Sequence, residues 1–143
     1  MDDKQKLERI KQFIKNHQLA VVSTVTHDAK PESAVVGFAL TDDFNLIFGT
    51  FSTSRKYVNL QSNSSVAVVI GWDQGKTVQL EGTVSEVTEP REIDASITSH
   101  LSKIPSVAKF LERPDERLFK IKPTWVSYSD LSVDPWDITE VRF

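Results

Sequence analysis

Leu19 to Thr26, Ser33 to Leu40 and Asn45 to Phe51 are three runs rich in β-branched and aromatic residues. They are separated by His27-Asp28-Ala29-Lys30-Pro31 and by Thr41-Asp42-Asp43. The runs favour pleated strands and the intervening residues favour turns. Two hairpins in a row predict an antiparallel meander. Asp42-Asp43 is accounted for by that turn and does not read as a paired-carboxylate acid/base site.

The flanking sequence builds on this meander. Asp2 or Asp3 can cap a helix running to about Asn16, with Leu7, Ile10, Phe13 and Ile14 as its apolar stripe. Val66 to Trp72 is a nearly unbroken apolar run, which predicts a strand buried on both faces. After a turn at Asp73 to Lys76, Thr77 to Val87 alternates as a long strand, with Gly82 marking a bulge or a close backbone approach. Pro90 opens an amphipathic helix over Arg91 to Leu101, and Ile104 to Leu111 continues as a weaker one. Leu118 to Ile121 and Thr124 to Ser129 read as two strands joined at Lys122-Pro123, and Trp136 to Phe143 as a last strand. Seven or eight strands with about three peripheral helices predict an all-β barrel with helical decorations, or an α+β fold. At 143 residues the chain is expected to form one domain, 1–143.

Composition narrows the function. The net charge of −3 gives no global basic field for nucleic acid or acidic membranes. The absence of cysteine removes disulfides, thiolate catalysis and cysteine metal sites. Met1-Asp2-Asp3-Lys4 is charged and unlike a signal peptide, and no apolar run approaches a membrane span, so a cytoplasmic location is expected. His17, His27 and His100 lie in unrelated segments without ligand spacing, so each is expected to be structural or on the surface, and no metal site is expected. No serine sits in a nucleophile-elbow pattern, and with five glycines there is no Gly-rich phosphate loop.

One stretch does carry chemistry. Leu46-Ile47-Phe48 is strand-like, Tyr57, Leu60 and Gln61 fall at helical spacing, and between them Ser52-Thr53-Ser54 precedes Arg55-Lys56. A helix start presents unpaired N–H groups and the positive end of the macrodipole, and Ser52, Thr53 or Ser54 can cap it. Two cations at the same place make an anion site, most naturally for a phosphate. The same residues also suit ordinary capping beside a solvated basic turn, and both readings stay open at this level. An anion site without residues able to make or break bonds belongs to a ligand binder, or to a protein whose chemistry comes from a cofactor.

The order of elements resembles the pyridoxamine 5′-phosphate oxidase-like family, whose fold is the FMN-binding split barrel, an antiparallel Greek-key barrel. The resemblance runs from about Leu7 to Phe143 and rests on Pro31 through Leu60 and on Val78-Gln79-Leu80-Glu81-Gly82. It implies a homodimer with FMN at the subunit interface. It also implies cofactor contacts. Ser54, Arg55 and Lys56 match the phosphate-binding Ser-Arg-Lys, Gly49 and Thr50 match a pair at the end of the third strand, and Ala34, Val35, Val36 and Gly37 match the strand along which the flavin ring lies. Thr77 and Gln79 match polar positions reaching the cofactor from a neighbouring strand, although Gln79 also suits an ordinary outward-facing strand residue. Glu81-Gly82 matches a signature to which no contact is assigned.

The departures are specific. The oxidases carry an arginine where this chain has Ala34 and a substrate-binding lysine where it has Ala39. Their Arg-rich, histidine-bearing C-terminal segment corresponds here to Tyr128 through Trp136, which is acidic and lacks both. The resemblance therefore implies an FMN-binding oxidoreductase of the general-stress type, of unknown substrate, without the vitamin B6 activity. Alternatives are a non-enzymatic flavin-binding or stress protein, a deazaflavin-binding relative, a haem protein using His27 or His100, and a structural module with an empty site. Trp136 suits a cover over the flavin ring, or serves with Trp125 as a core or dimer-interface aromatic.

Overall fold

Helix α1 spans Asp3–Lys15 and is followed by strands β1 (Leu19–Val25), β2 (Pro31–Leu40) and β3 (Leu46–Phe51). Helix α2 (Arg55–Ser62) leads to β4 (Ser65–Ile70), β5 (Lys76–Glu86), β6 (Glu116–Asp130) and β7 (Asp137–Arg142). The structure, a computed structural model, describes residues 1–92, 95 and 114–143. Most of the helix expected over Arg91 to Leu101, and all of that over Ile104 to Leu111, lie outside the described residues.

The strands form one antiparallel sheet in the order β3-β2-β1-β4-β5-β6-β7, and β3 also pairs with β6. That last pairing closes β1 to β6 into a split barrel. β4 returns from the β1–β2–β3 meander to lie beside β1, the Greek-key arrangement. Closure leaves β1 to β6 with few unpaired backbone groups, which removes most of the edge problem of an open sheet.

α1 starts with a capping box. Asp2 accepts from the Gln5 N–H at 2.8 Å while Gln5 Oε1 accepts from the Asp2 N–H at 3.0 Å. Its stripe is the predicted one. Ile10 and Ile14 are fully buried, with Leu7 and Phe13 packed against the same core. Arg9, on the neighbouring face, pairs with Asp137, donates to Thr139 Oγ1 at 3.2 Å and lies over the Tyr128 ring. The helix is thereby fixed to β6 and β7.

Two expectations are corrected. The strand expected to be buried on both faces, Val66 to Trp72, alternates instead: Val66, Val68 and Ile70 face the core while Ala67 is exposed. It ends at Ile70 because Gly71 turns the chain at φ +76, which leaves Trp72 on the surface. An apolar run reads alike whether one face or both are covered, and only the packing distinguishes them.

Lys122-Pro123 does not divide two strands, since β6 is continuous from Glu116 to Asp130. Glu81 pairs with Trp125 and Gly82 with Pro123, so Thr124 is the extra residue of a bulge. The bulge admits a proline that has no N–H to donate to a ladder. The Thr124 hydroxyl donates to the Glu81 carbonyl at 3.2 Å. Gly82 is the close approach expected of it, since a Cβ there would stand 2.5 Å from the Lys122 carbonyl oxygen.

Candidate functional site

The end of β3 and the start of α2 form one turn. Ser54 takes an extended backbone (φ −78, ψ 158), and its hydroxyl accepts from the Tyr57 N–H at 3.2 Å. It therefore caps α2, as the hydroxyl run before Arg55 allows. Ser54 Oγ also lies 2.7 Å from Thr50 Oγ1. No acidic side chain occupies the first turn of α2, so nothing in that turn offsets the positive end of the helix dipole.

Two cavities meet at Lys56. The larger, about 300 Å³, has a wall from β2 (Val35, Val36, Gly37), a second from Gly49 and Thr50, and Ser54 and Lys56 at one end. A Cβ at Gly49 would collide with the Glu116 carboxylate, so the glycine leaves room for that side chain beside the cavity. The smaller cavity, about 190 Å³, is lined mainly by residues with polar or charged side chains, Thr24, Glu32, Ser33, Arg55 and Lys56, together with Ala34. Burial pushes the Lys56 ammonium below its ordinary pKa, and the nearby Glu116 charge opposes that shift. Arg55 is mostly exposed and forms an ion pair with Glu32.

Val35, Val36, Gly49, Thr50, Ser54, Arg55 and Lys56 thus gather around two adjoining cavities, and Ala34 and Gly37 join them. Thr77 and Gln79 do not. They stand on β5, separated from β2 by β1 and β4. The Thr77 hydroxyl points at the Ile70 carbonyl, and Gln79 is exposed between its partners Val69 and Ser127. His17 is structural. Its Nδ1 lies 2.9 Å from the Phe13 carbonyl and its ring packs on Phe13. His27 sits exposed in the β1–β2 turn, and His100 lies outside the described residues.

Sequence reasoning missed Glu32, Asn59 and Glu116. Glu32 lies two residues before Ala34, on the same face of β2, and Asn59 lies four residues after Arg55, on the same face of α2. Those spacings could have found both. Glu116 comes to the cavity through the β3–β6 pairing, for which no local signal exists.

The model of the pyridoxamine 5′-phosphate oxidase family matches residues 7–130. The chain belongs to that family. A pyridoxine/pyridoxamine 5′-phosphate oxidase of Ehrlichia ruminantium is 32% identical over 88 residues, covering 61% of this chain and 45% of that protein. The chain spans about half the length of the curated family relatives it matches, 45% and 48%. Among solved structures, General Stress Protein 26 of Bacillus anthracis superposes with a TM-score of 0.69 at 27% identity, covering 97% of this chain and 98% of that one. Two others share the fold at lower identity. An FMN-binding protein related to the oxidases, from Nostoc punctiforme, has a TM-score of 0.66 at 12% identity, with 98% and 93% covered. A haem-binding protein from Mycobacterium smegmatis has a TM-score of 0.79 at 13% identity, with 94% and 57% covered. The family fold thus accompanies both flavin-binding and haem-binding proteins.

Proposed function

We propose that this chain binds FMN and acts as an FMN-dependent oxidoreductase, assembled as a homodimer with the cofactor between subunits. The observation that carries the reading is the junction at Lys56. A mainly apolar cavity lined along β2 by Val35, Val36 and Gly37 meets a second one lined by polar and charged side chains, with Arg55 and Lys56 at a capped helix start. A planar ring attached to a phosphate needs those two environments side by side. Bound flavin would supply hydride or electron transfer. The chain's own part is to hold the phosphate with Arg55, Lys56 and the Ser54 turn, to orient the ring along Val35 to Gly37, and to keep water from its face.

The dimer is supported by what one chain leaves incomplete. Val35 is 59% exposed and Leu19 46% exposed, although both line the larger cavity. A second copy would cover them and bring Thr77 and Gln79 to the site.

The vitamin B6 activity named for the curated relatives is not carried over. Ala39 replaces the lysine expected for a substrate phosphate, and Tyr128 through Trp136 contains neither arginine nor histidine.

The direct test is the visible spectrum after loading with FMN and removing the excess. Retained flavin bands at about one per chain support the reading. Arg55→Ala should then weaken binding by about 1–3 kcal/mol, the scale of a charged hydrogen bond. No retained flavin, with a deazaflavin or haemin retained instead, would overturn it.

A further inference from the structure

The geometry points to Glu32 as a positioning residue that holds the Arg55 guanidinium at the polar cavity; this rests on the phosphate reading above. The carboxylate is fixed from behind. Asn59 Nδ2 donates to Glu32 Oε1 at 2.8 Å and to Thr24 Oγ1 at 2.9 Å. Thr24 is fully buried and Asn59 nearly so. The other oxygen, Oε2, pairs with one terminal nitrogen of Arg55. A chain of contacts therefore runs from the barrel interior (Thr24 on β1) through α2 (Asn59) and β2 (Glu32) to the cation.

The exposures show which partner orients which. The Glu32 side chain is 22% exposed and that of Arg55 is 77% exposed. A long side chain so far into solvent samples many rotamers, and ordering it on a ligand costs entropy. A partner anchored to the core removes part of that cost beforehand. The guanidinium carries five N–H donors, and a pair through one nitrogen leaves donors for a phosphate. The carboxylate also repels a phosphate and can occupy the guanidinium in its place. Both effects alter affinity, with opposite sign, so one variant separates them.

The experiment compares FMN and riboflavin binding to wild type, Glu32→Gln, Arg55→Ala and the double variant, by flavin fluorescence. Glu32→Gln keeps the shape and an acceptor for Asn59 but loses the charge pair. FMN binding should weaken about tenfold, the scale of one charge-assisted hydrogen bond. Riboflavin, lacking the phosphate, should bind both proteins alike. The double variant should bind FMN no more weakly than Arg55→Ala, because the two residues act as one unit. Unchanged or tighter FMN binding in Glu32→Gln, or additive losses in the double variant, would overturn the assignment. A second measurement needs neither the variant nor the cofactor. In wild type, the Arg55 Nε–H ¹⁵N heteronuclear NOE should approach that of the backbone amides. A value like that of a solvent-exposed arginine would overturn the assignment even if Glu32→Gln did not fold. If wild type binds no FMN, the proposed function fails, and the NOE still decides whether Glu32 orders Arg55.

Discussion

The hydroxyls of Thr50 and Ser54 lie 2.7 Å apart, joining the end of β3 to the residue that caps α2. Thr50 is buried, so the cap is held from the barrel wall and not by its own turn alone. Ser54→Ala removes both the cap and this link. It should destabilise the protein by about 1 kcal/mol, as cap losses do, and weaken FMN binding in addition. Urea unfolding and FMN titration measure the two effects separately. A stability loss with unaltered FMN affinity would mean that the turn is a cap only.

Lys56 should behave in the opposite way. Burial lowers its pKa from the ordinary 10.5, so the folded protein disfavours the charged form. In the cofactor-free protein that penalty is fully present below the folded-state pKa and disappears as the pH rises toward the unfolded value. Lys56→Met should therefore leave the apoprotein as stable as wild type or more so, while FMN binding weakens by about 1–3 kcal/mol. Thermal melts with and without FMN check both halves. Loss of apoprotein stability with full FMN binding would show that Lys56 serves the fold instead.

Arg55, on α2, lines one of the two adjoining cavities, whereas Gln79, on β5, lines neither. If two copies share each site, Arg55→Ala and Gln79→Ala chains should each bind FMN poorly as homodimers. Co-expressed, they should regain tight binding, because one site of each mixed dimer then receives both native residues. No recovery in the mixture would place the two residues in separate roles.

Gly82 is needed for space and not for an unusual backbone angle. Its substitution by alanine would put a Cβ against the Lys122 carbonyl oxygen, opposite the Thr124 bulge. Forcing atoms into a packed contact costs about 1–3 kcal/mol. Gly82→Ala should lower the urea midpoint accordingly, and a midpoint equal to that of wild type would show that β6 shifts without penalty.

What the sequence determined alone was whatever depends on neighbours a few residues apart. The α1 stripe of Ile10 and Ile14, the two hairpins from Leu19 to Phe51 and a capped helix start within Ser52 to Ser54 all follow from local spacing and turn chemistry, and the structure selects Ser54 as the cap. These also delivered most of the candidate site, because β2, β3 and the first turn of α2 are consecutive in the chain. Tertiary structure decided what depends on distant strands. Pro123 stays within β6 because the bulge opposite Gly82 removes the need for its missing N–H. Val66 to Ile70 shows one buried face because the barrel interior covers that side only. Glu116 reaches the cavity through β3–β6 closure, and Glu32 meets Arg55 because β2 passes beside α2. Side-chain periodicity reports the face a residue takes, whereas its partner on that face is set by which strands close the barrel.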